Sequence, residues 1–205
     1  MKVLMINGSP RVGGNTSIAL KEMEKAFIKN GIEVDIMQIG NQAIRGCVVC
    51  GTCNQKGQCV FDDAVNKAAA KFAGADGLVV ATPVYYASAN GTMITFLDRL
   101  FMSCKCDKRM KVGASVVVAR RGGLSATFDE LNKYFAYSGM PIVPSNYWNS
   151  VHGGAPGQAA QDAEGLQTVR VLADNMSFLM KSIALGKEQI GMPEAEAKIF
   201  TSFIR

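Results

Sequence analysis

The chain has 205 residues, of which 48% are apolar, 19% charged and 8% aromatic, a composition that can bury one sizeable core in a single domain spanning 1–205. Apolar runs such as GASVVVA fall far short of the roughly 18 residues a membrane helix requires, which excludes a transmembrane role. The 22 basic and 17 acidic residues leave a net charge of +5. Apart from a small knot at Lys105, Lys108, Arg109 and Lys111 it is spread along the chain, which points away from nucleic acid and towards small anionic ligands.

The opening MKVLMINGSP has too short an apolar run for a signal-peptide core; it reads as a first buried strand at 2–6, and the chain as cytoplasmic. A helix follows at 15–30, with Leu20, Met23 and Phe27 on one face and Gly31 as its stop. A second strand at 32–38 leads into a cysteine-rich loop at 46–60. Then come a helix at 62–73, a strand at 77–82, a helix at 91–103, a strand at 111–119, a helix at 124–138 and a strand at 141–144. The polar, Gly-rich segment from Pro144 to Gly157 has the length of a binding flap or of an excursion at a subunit contact. The last helix, 161–185, carries Val169, Leu172, Met176, Leu179 and Ile183 as one stripe and opens a C-terminal helix-plus-tail region at 161–205.

Strands such as LVVAT and ASVVVA are apolar without alternation, as a parallel strand covered on both faces must be. Five of them separated by helices predict an α/β three-layer sandwich of the flavodoxin-like type. Its five-stranded parallel sheet has order 2-1-3-4-5, with helices on both faces and a ligand crevice at the carboxyl ends of the strands.

The loops at that crevice carry the chemistry. After the first strand, NGSPRVGGNTS enters a helix at Asn15 or Thr16. A helix start offers unpaired N–H groups and a positive dipole end. Ser9, Asn15, Thr16 and Ser17 add hydroxyl and amide donors, and Arg11 adds charge. The loop lacks a P-loop lysine, a G-x-G-x-x-G pattern and any cysteine, so a monophosphate ester fits it best. A Gly-rich turn with an Asn or Thr N-cap and no ligand is the alternative. After the third strand, ATPVYYASANG sets Tyr85 and Tyr86 where a flat ligand could lie, although tyrosines also pack loops onto sheets. After the fourth, ARRGG permits close backbone approach at Gly122 and Gly123 beside two rim arginines.

GSPRVGGNT after strand one, TPVYY after strand three and the FLDR helix behind it together resemble the NADPH-dependent FMN reductases of the flavodoxin-like superfamily. The cysteine cluster resembles that of their iron-sulfur flavoprotein branch. The resemblance implies that Ser9, Arg11, Asn15, Thr16 and Ser17 hold the FMN phosphate. It implies that Pro83, Val84, Tyr85 and Tyr86 line the isoalloxazine and ribityl chain, and that Ala119, Arg120, Arg121, Gly122 and Gly123 close the far side. Relatives often carry Lys where this chain has Ile94, so a contact made by that lysine is missing. The resemblance further implies a homodimer or homotetramer.

Cys47, Cys50, Cys53 and Cys59 stand at intervals of two, two and five residues. Three thiolates at two-residue spacing wrap compactly around a cubane; in bacterial ferredoxins the last interval is three and a Pro follows, whereas here Val60 follows. Zinc more often takes two separated C-x-x-C pairs. By the resemblance the four cysteines bind a [4Fe-4S] cluster; zinc, or reduced or partly disulfide-bonded thiols, stay open. Cys104 and Cys106, a C-x-C at a helix end, read as ordinary buried or rim thiols. His152 in YWNSVHGG reads as a structural hydrogen-bonding residue. Asp62 and Asp63 read as cap and dipole partners of the next helix. The chain has no triad and no paired catalytic carboxylates, which suits chemistry supplied by a cofactor. The reading is an FMN-dependent oxidoreductase that takes hydride from NAD(P)H and serves a quinone, flavin, nitroaromatic or redox-protein acceptor. A non-enzymatic FMN electron carrier and a cysteine-bearing redox or metal sensor are its rivals.

Overall fold

The computed structural model describes residues 1–201 and 203. The first strand, β1 (Lys2–Asn7), is KVLMIN, buried throughout after Lys2. Its alternate side chains divide between two cores: Val3 and Met5 enter one, Leu4 and Ile6 the other. β3 (Gly77–Tyr85) divides likewise, Val79 and Ala81 against Leu78 and Val80. That two-residue period is what a strand covered on both faces requires, and it explains the unbroken apolar runs.

The helices α1 (Asn15–Lys29) and α6 (Ala163–Ile190) cover the first face, with Leu20, Met23, Phe27, Leu172 and Met176 in its core. On the other face lie α3 (Ala64–Ala73), α4 (Gly91–Ser103) and α5 (Leu124–Tyr137), which contribute Phe72, Phe96, Leu97 and Phe135. Each such side chain contributes about 1.5–3 kcal/mol by leaving water. The remaining elements are β2 (Glu33–Gln38), a short α2 (Thr52–Lys56), the two-residue β4 (Ser88–Ala89), β5 (Val112–Ala119) and β6 (Ser150–His152). A single 3-10 turn at Gln158–Gln161 precedes α6.

Among the described residues the sheet order is β2-β1-β3-β5-β6, parallel throughout, with β4 antiparallel to β3. Set β4 aside and this is the expected flavodoxin-like 2-1-3-4-5 order. The expected fifth strand at 141–144 is corrected. Ile142 makes one isolated bridge to Gly113, and Val143 N–H donates to the Gly113 carbonyl at 3.0 Å. The pairing then lapses at Pro144, which has no N–H to give. The chain makes an excursion and returns as β6, pairing Ser150, Val151 and His152 with Val117, Val118 and Ala119. The last helix starts two residues later than expected, because Asp162 caps it by accepting from Gly165 N–H at 3.0 Å. It runs on to Ile190 and ends at Gly191, whose φ is 77°. Of the expected tail to 205, residues 202, 204 and 205 lie outside the described residues.

Gly113 sits in β5 beneath a ring: a Cβ there would stand 2.6 Å from Cγ of Phe135. Gly113→Ala is expected to cost about 1–3 kcal/mol through overpacking, read as a lower urea midpoint with an unchanged m-value.

Candidate functional site

The turn between β1 and α1 leaves the helix start open. The N-cap of α1 is Gly14, with no side-chain cap and no acidic residue in the first turn. The first backbone bond into the helix is donated by Ile18 to the Gly14 carbonyl at 3.1 Å, so the N–H groups of Asn15, Thr16 and Ser17 precede the ladder and face out of the helix end. An uncapped start with a positive dipole end and no neighbouring carboxylate is a site for an anion. Ser9 and Thr16 are buried at its base, and Arg11 is exposed at its rim.

The shape of this turn is fixed from behind. Asn7, buried at the end of β1, accepts from Ser9 N–H at 3.0 Å and donates to Ser17 Oγ at 3.0 Å, tying both ends of the loop together. Gly8 N–H donates to the Ala81 carbonyl of β3 at 2.8 Å. Asn90, the N-cap of α4, donates to the Gly8 carbonyl and accepts from Met93 N–H at 2.9 Å. Gln38, at the end of β2, donates to the Ser9 carbonyl. Two residues on, Gly40 lies against the loop so closely that a Cβ would stand 2.1 Å from the Gly8 carbonyl oxygen.

Asn15 has a different place from the one expected of its amide. Its Nδ2 donates to the carbonyls of Gly153 and Ala155, both at 3.0 Å, and its Oδ1 accepts from Ala159 N–H at 3.2 Å. The carboxamide fastens the 153–159 flap to the helix start, and what Asn15 can offer an anion is its backbone N–H. The flap is held on its other side by Asp162, which accepts from His152 N–H at 2.6 Å and lies 3.5 Å from His152 Nδ1. His152 is therefore a strand-end residue with a structural partner.

Pro83 to Tyr86 lie at the carboxyl end of β3, where the chain turns back as β4. Val84 pairs with Ala89 and Tyr85 with Ser88, and the two residues between, Tyr86 and Ala87, have φ of 50° and 60°. A two-residue hairpin favours positive φ at both positions, yet neither residue is the usual Asn or Gly, and each carries a strain of about 1–2 kcal/mol. Glu130 of α5 holds the hairpin, accepting from Ser88 Oγ at 2.8 Å and from Ala89 N–H at 2.9 Å. Tyr85 is half exposed and Tyr86 fully so. Ala119 ends β5, Arg120, Arg121 and Gly122 are exposed, and Gly123, at φ 85°, lies so close to the hairpin that a Cβ would be 2.7 Å from Ala87 Cα. The predicted phosphate, ring and far-side residues thus share the carboxyl edge of the sheet. Asn7, Gly40, Asn90 and Glu130, which shape that edge, were not anticipated; the clearest signal for any of them is Asn90 immediately before an apolar helical run.

Cys47, Cys50, Cys53 and Cys59 all line one cavity of about 230 Å³, walled also by Phe61, Arg99, Met102 and Ser103. The sulfurs line it without closing on a point: among the described residues, no three His, Cys, Asp or Glu side chains stand at metal-ligating spacing. The donor set nevertheless suits a thiolate-bound group. Arg99 has a side chain only 1% exposed and donates Nε–H and Nη2–H to Cys59 Sγ at 3.3 and 3.2 Å. It also forms a two-point pair with Asp63 at 2.6 and 3.0 Å. Asp63 in turn caps α3 through Val65 N–H at 2.9 Å, the role expected of it. Asn66 clamps the Cys59 backbone by accepting from its N–H and donating to its carbonyl, both at 3.0 Å. Hydrogen bonds from Thr52 hold the Cys50 thiol below its ordinary pKa. Ser103 Oγ is buried on this cavity wall without a hydrogen-bond partner among the described residues, a donor that a sulfide or thiolate would satisfy.

A profile of the NADPH-dependent FMN reductases matches residues 1–155. An iron-sulfur flavoprotein of Methanocaldococcus jannaschii is 31% identical over 191 residues, covering 89% of this chain and 99% of its own. One from Methanosarcina thermophila is 30% identical over 194 residues, covering 92% and 100%. Among solved structures, RosB with a bound 8-demethyl-8-formylriboflavin-5'-phosphate intermediate superposes at a TM-score of 0.70 with 16% identity, over 100% of this chain and 94% of that one. An archaeal flavodoxin superposes at 0.60 with 14% identity, over 88% and 99%. Similarity at that level shows a common fold. The chain belongs to the NADPH-dependent FMN reductase family, with iron-sulfur flavoproteins as its curated relatives. It is an FMN-dependent oxidoreductase, and its activity is flavin-based redox chemistry.

Two substitutions test the site. Gly40→Ala forces the phosphate turn to move; FMN retention measured by fluorescence on dilution should fall about ten- to a hundredfold, equivalent to 1–3 kcal/mol for lost hydrogen bonds. Arg99→Met leaves Asp63 and Cys59 without their buried cation and should lower unfolding stability by about 2–4 kcal/mol. Unchanged stability would show that the guanidinium contacts carry no weight.

Proposed function

We propose that the chain is a cytoplasmic, homodimeric or homotetrameric NAD(P)H oxidoreductase that passes electrons through FMN to a quinone, a flavin, another small acceptor or a redox protein, and that its cysteine loop carries a [4Fe-4S] cluster. The observation that carries the proposal is the open start of α1, where three backbone N–H groups meet neither a side-chain cap nor a carboxylate. With Gly14 as cap the fold holds such a start open at a cost of roughly a few tenths of a kcal/mol, and an esterified phosphate would supply the missing acceptors.

In this reading the N–H groups of Asn15, Thr16 and Ser17, with Ser9, Ser17 Oγ and Arg11, hold the phosphate. Asn15's carboxamide keeps the flap in place, and Asn7 and Asn90 hold the loop in register. Pro83 to Tyr86 flank one side of the ring and Ala119 to Gly123 the other, with Glu130 keeping the tyrosine hairpin raised. Bound FMN supplies a hydride acceptor that also releases electrons singly. Cys47, Cys50, Cys53 and Cys59 would hold the cluster, which supplies one-electron steps. Arg99 offsets thiolate charge at Cys59, and Ser103 is the remaining donor.

Protein purified without oxygen is expected to show flavin absorption with a broad iron-sulfide shoulder, and stoichiometric iron and sulfide on analysis. Adding NADPH or NADH anaerobically should then bleach the flavin band on a catalytic timescale. A bound flavin that neither nucleotide bleaches would indicate a carrier instead. Stoichiometric zinc would overturn the cluster, and failure to bind FMN at all would overturn the whole proposal.

A further inference from the structure

Cys104 and Cys106 stand apart from the four-cysteine cavity. α4 ends at Ser103, and Cys104 caps it with extended backbone, φ −72° and ψ 107°, which carries the chain out so that two residues on Cys106 returns its side chain to the same spot. The two Sγ atoms are 3.2 Å apart, only about 1.2 Å beyond the ~2.05 Å of a disulfide bond. Cys104 is 4% exposed, its Sγ directed at the Ala69 carbonyl at 3.7 Å. Cys106 is half-buried and lines a groove of about 870 Å³, with Lys105, Lys108 and Lys133 on its wall. Lys108 also reaches the Cys104 carbonyl. The hydrogen bond from Cys106, aided by the charges of Lys108 and Lys111, lowers Cys104 to about 6. The same bond pushes Cys106 up. The pair therefore loses its first proton near neutrality and shares the second.

We infer that Cys104 and Cys106 form a redox-active dithiol, separate from the four-cysteine loop, that exchanges with low-molecular-weight disulfides entering by the groove. The two sulfurs have divided roles. Cys106, which the groove reaches, passes its proton to the Cys104 thiolate across the 3.2 Å contact and attacks one sulfur of the incoming disulfide; that S–S bond breaks and one thiolate leaves, to be protonated by the proton that Cys104 next gives up. Cys104, which the groove does not reach, then loses its proton and attacks Cys106 Sγ, forming the Cys104–Cys106 bond and releasing the second thiol. The protein pair gives up two electrons and two protons, and the external disulfide gains both as two thiols. The centre needs neither FMN nor iron.

Lys105 lies between the two cysteines, which supplies the readout. Trypsin cuts after Arg99, Lys105 and Lys108, so the segments 100–105 and 106–108 stay joined only by the disulfide. The full-length protein, reduced and purified without oxygen, is treated with glutathione disulfide, alkylated and digested without reductant. The expected product is the linked pair of segments, lost on reduction. Cys104→Ser should instead trap glutathione on Cys106, and Cys106→Ser should capture it at least tenfold more slowly at Cys104. Separate, alkylated segments from the wild type would overturn the inference. So would equal capture rates in the two variants, or Cys104 and Cys106 found bonded to the 47–59 cysteines in preference to each other.

Discussion

The first turn of α1 begins with backbone N–H groups that no side chain among the described residues caps, at a position where Ser, Thr, Asp or Asn would ordinarily serve. Gly14 occupies that position instead. The neighbouring polar side chains have been committed elsewhere: Asn7 to Ser9 N–H and Ser17 Oγ, Asn15 to the flap, Asn90 to Gly8. Each of these bonds stiffens the surroundings without blocking the helix end. Rigidity and vacancy thus arise from the same side chains, and pre-organisation of this kind lowers the ordering cost of binding.

The cysteine loop is built on the opposite plan. Cys47 and Cys50 ride on an irregular segment with a positive φ at Val49, and Cys53 on the short α2, which has left-handed glycines at both ends. Cys59 is fixed twice over, by Asn66 through its backbone and by Arg99 through its sulfur. A buried guanidinium facing a single carboxylate that is itself partly solvated has donors left over, and Cys59 takes two of them. Arg99 thereby sets a buried positive charge against the one sulfur of the cavity that it touches.

What could be read in advance followed from local pattern. β1, β3 and β5 are continuous apolar runs, and their helices carry clear stripes, so the layers follow from local pattern, while the strand order follows from the chain length, which fits the five-stranded of the two common doubly wound orders. The edge strand misled because Ile142 and Val143 look more strand-like than the segment that pairs, SVH, where Val151 alone is apolar. Prolines at 141 and 144 bracket the decoy, and only the partner strand decides where pairing resumes. The role of Asn15 was illegible for another reason: its partners lie 138 and 140 residues away. Arg99 likewise sits in a helix as any surface arginine would, and nothing near it in the chain reveals the carboxylate 36 residues upstream.

The interrupted final strand has a bearing on assembly. With three residues in β6 and a proline just after the bridge at Ile142, that side of the sheet presents no continuous row of free amides for a second chain to extend. The other margin, β2, alternates Glu33 and Asp35 with its apolar residues and pairs them with Lys2 and Lys71, a charged edge of the kind that discourages edge-to-edge stacking. Both margins of the sheet thus end in side chains, not in an extendable ladder, and the surface left for any large contact is that of the helices and the crevice loops.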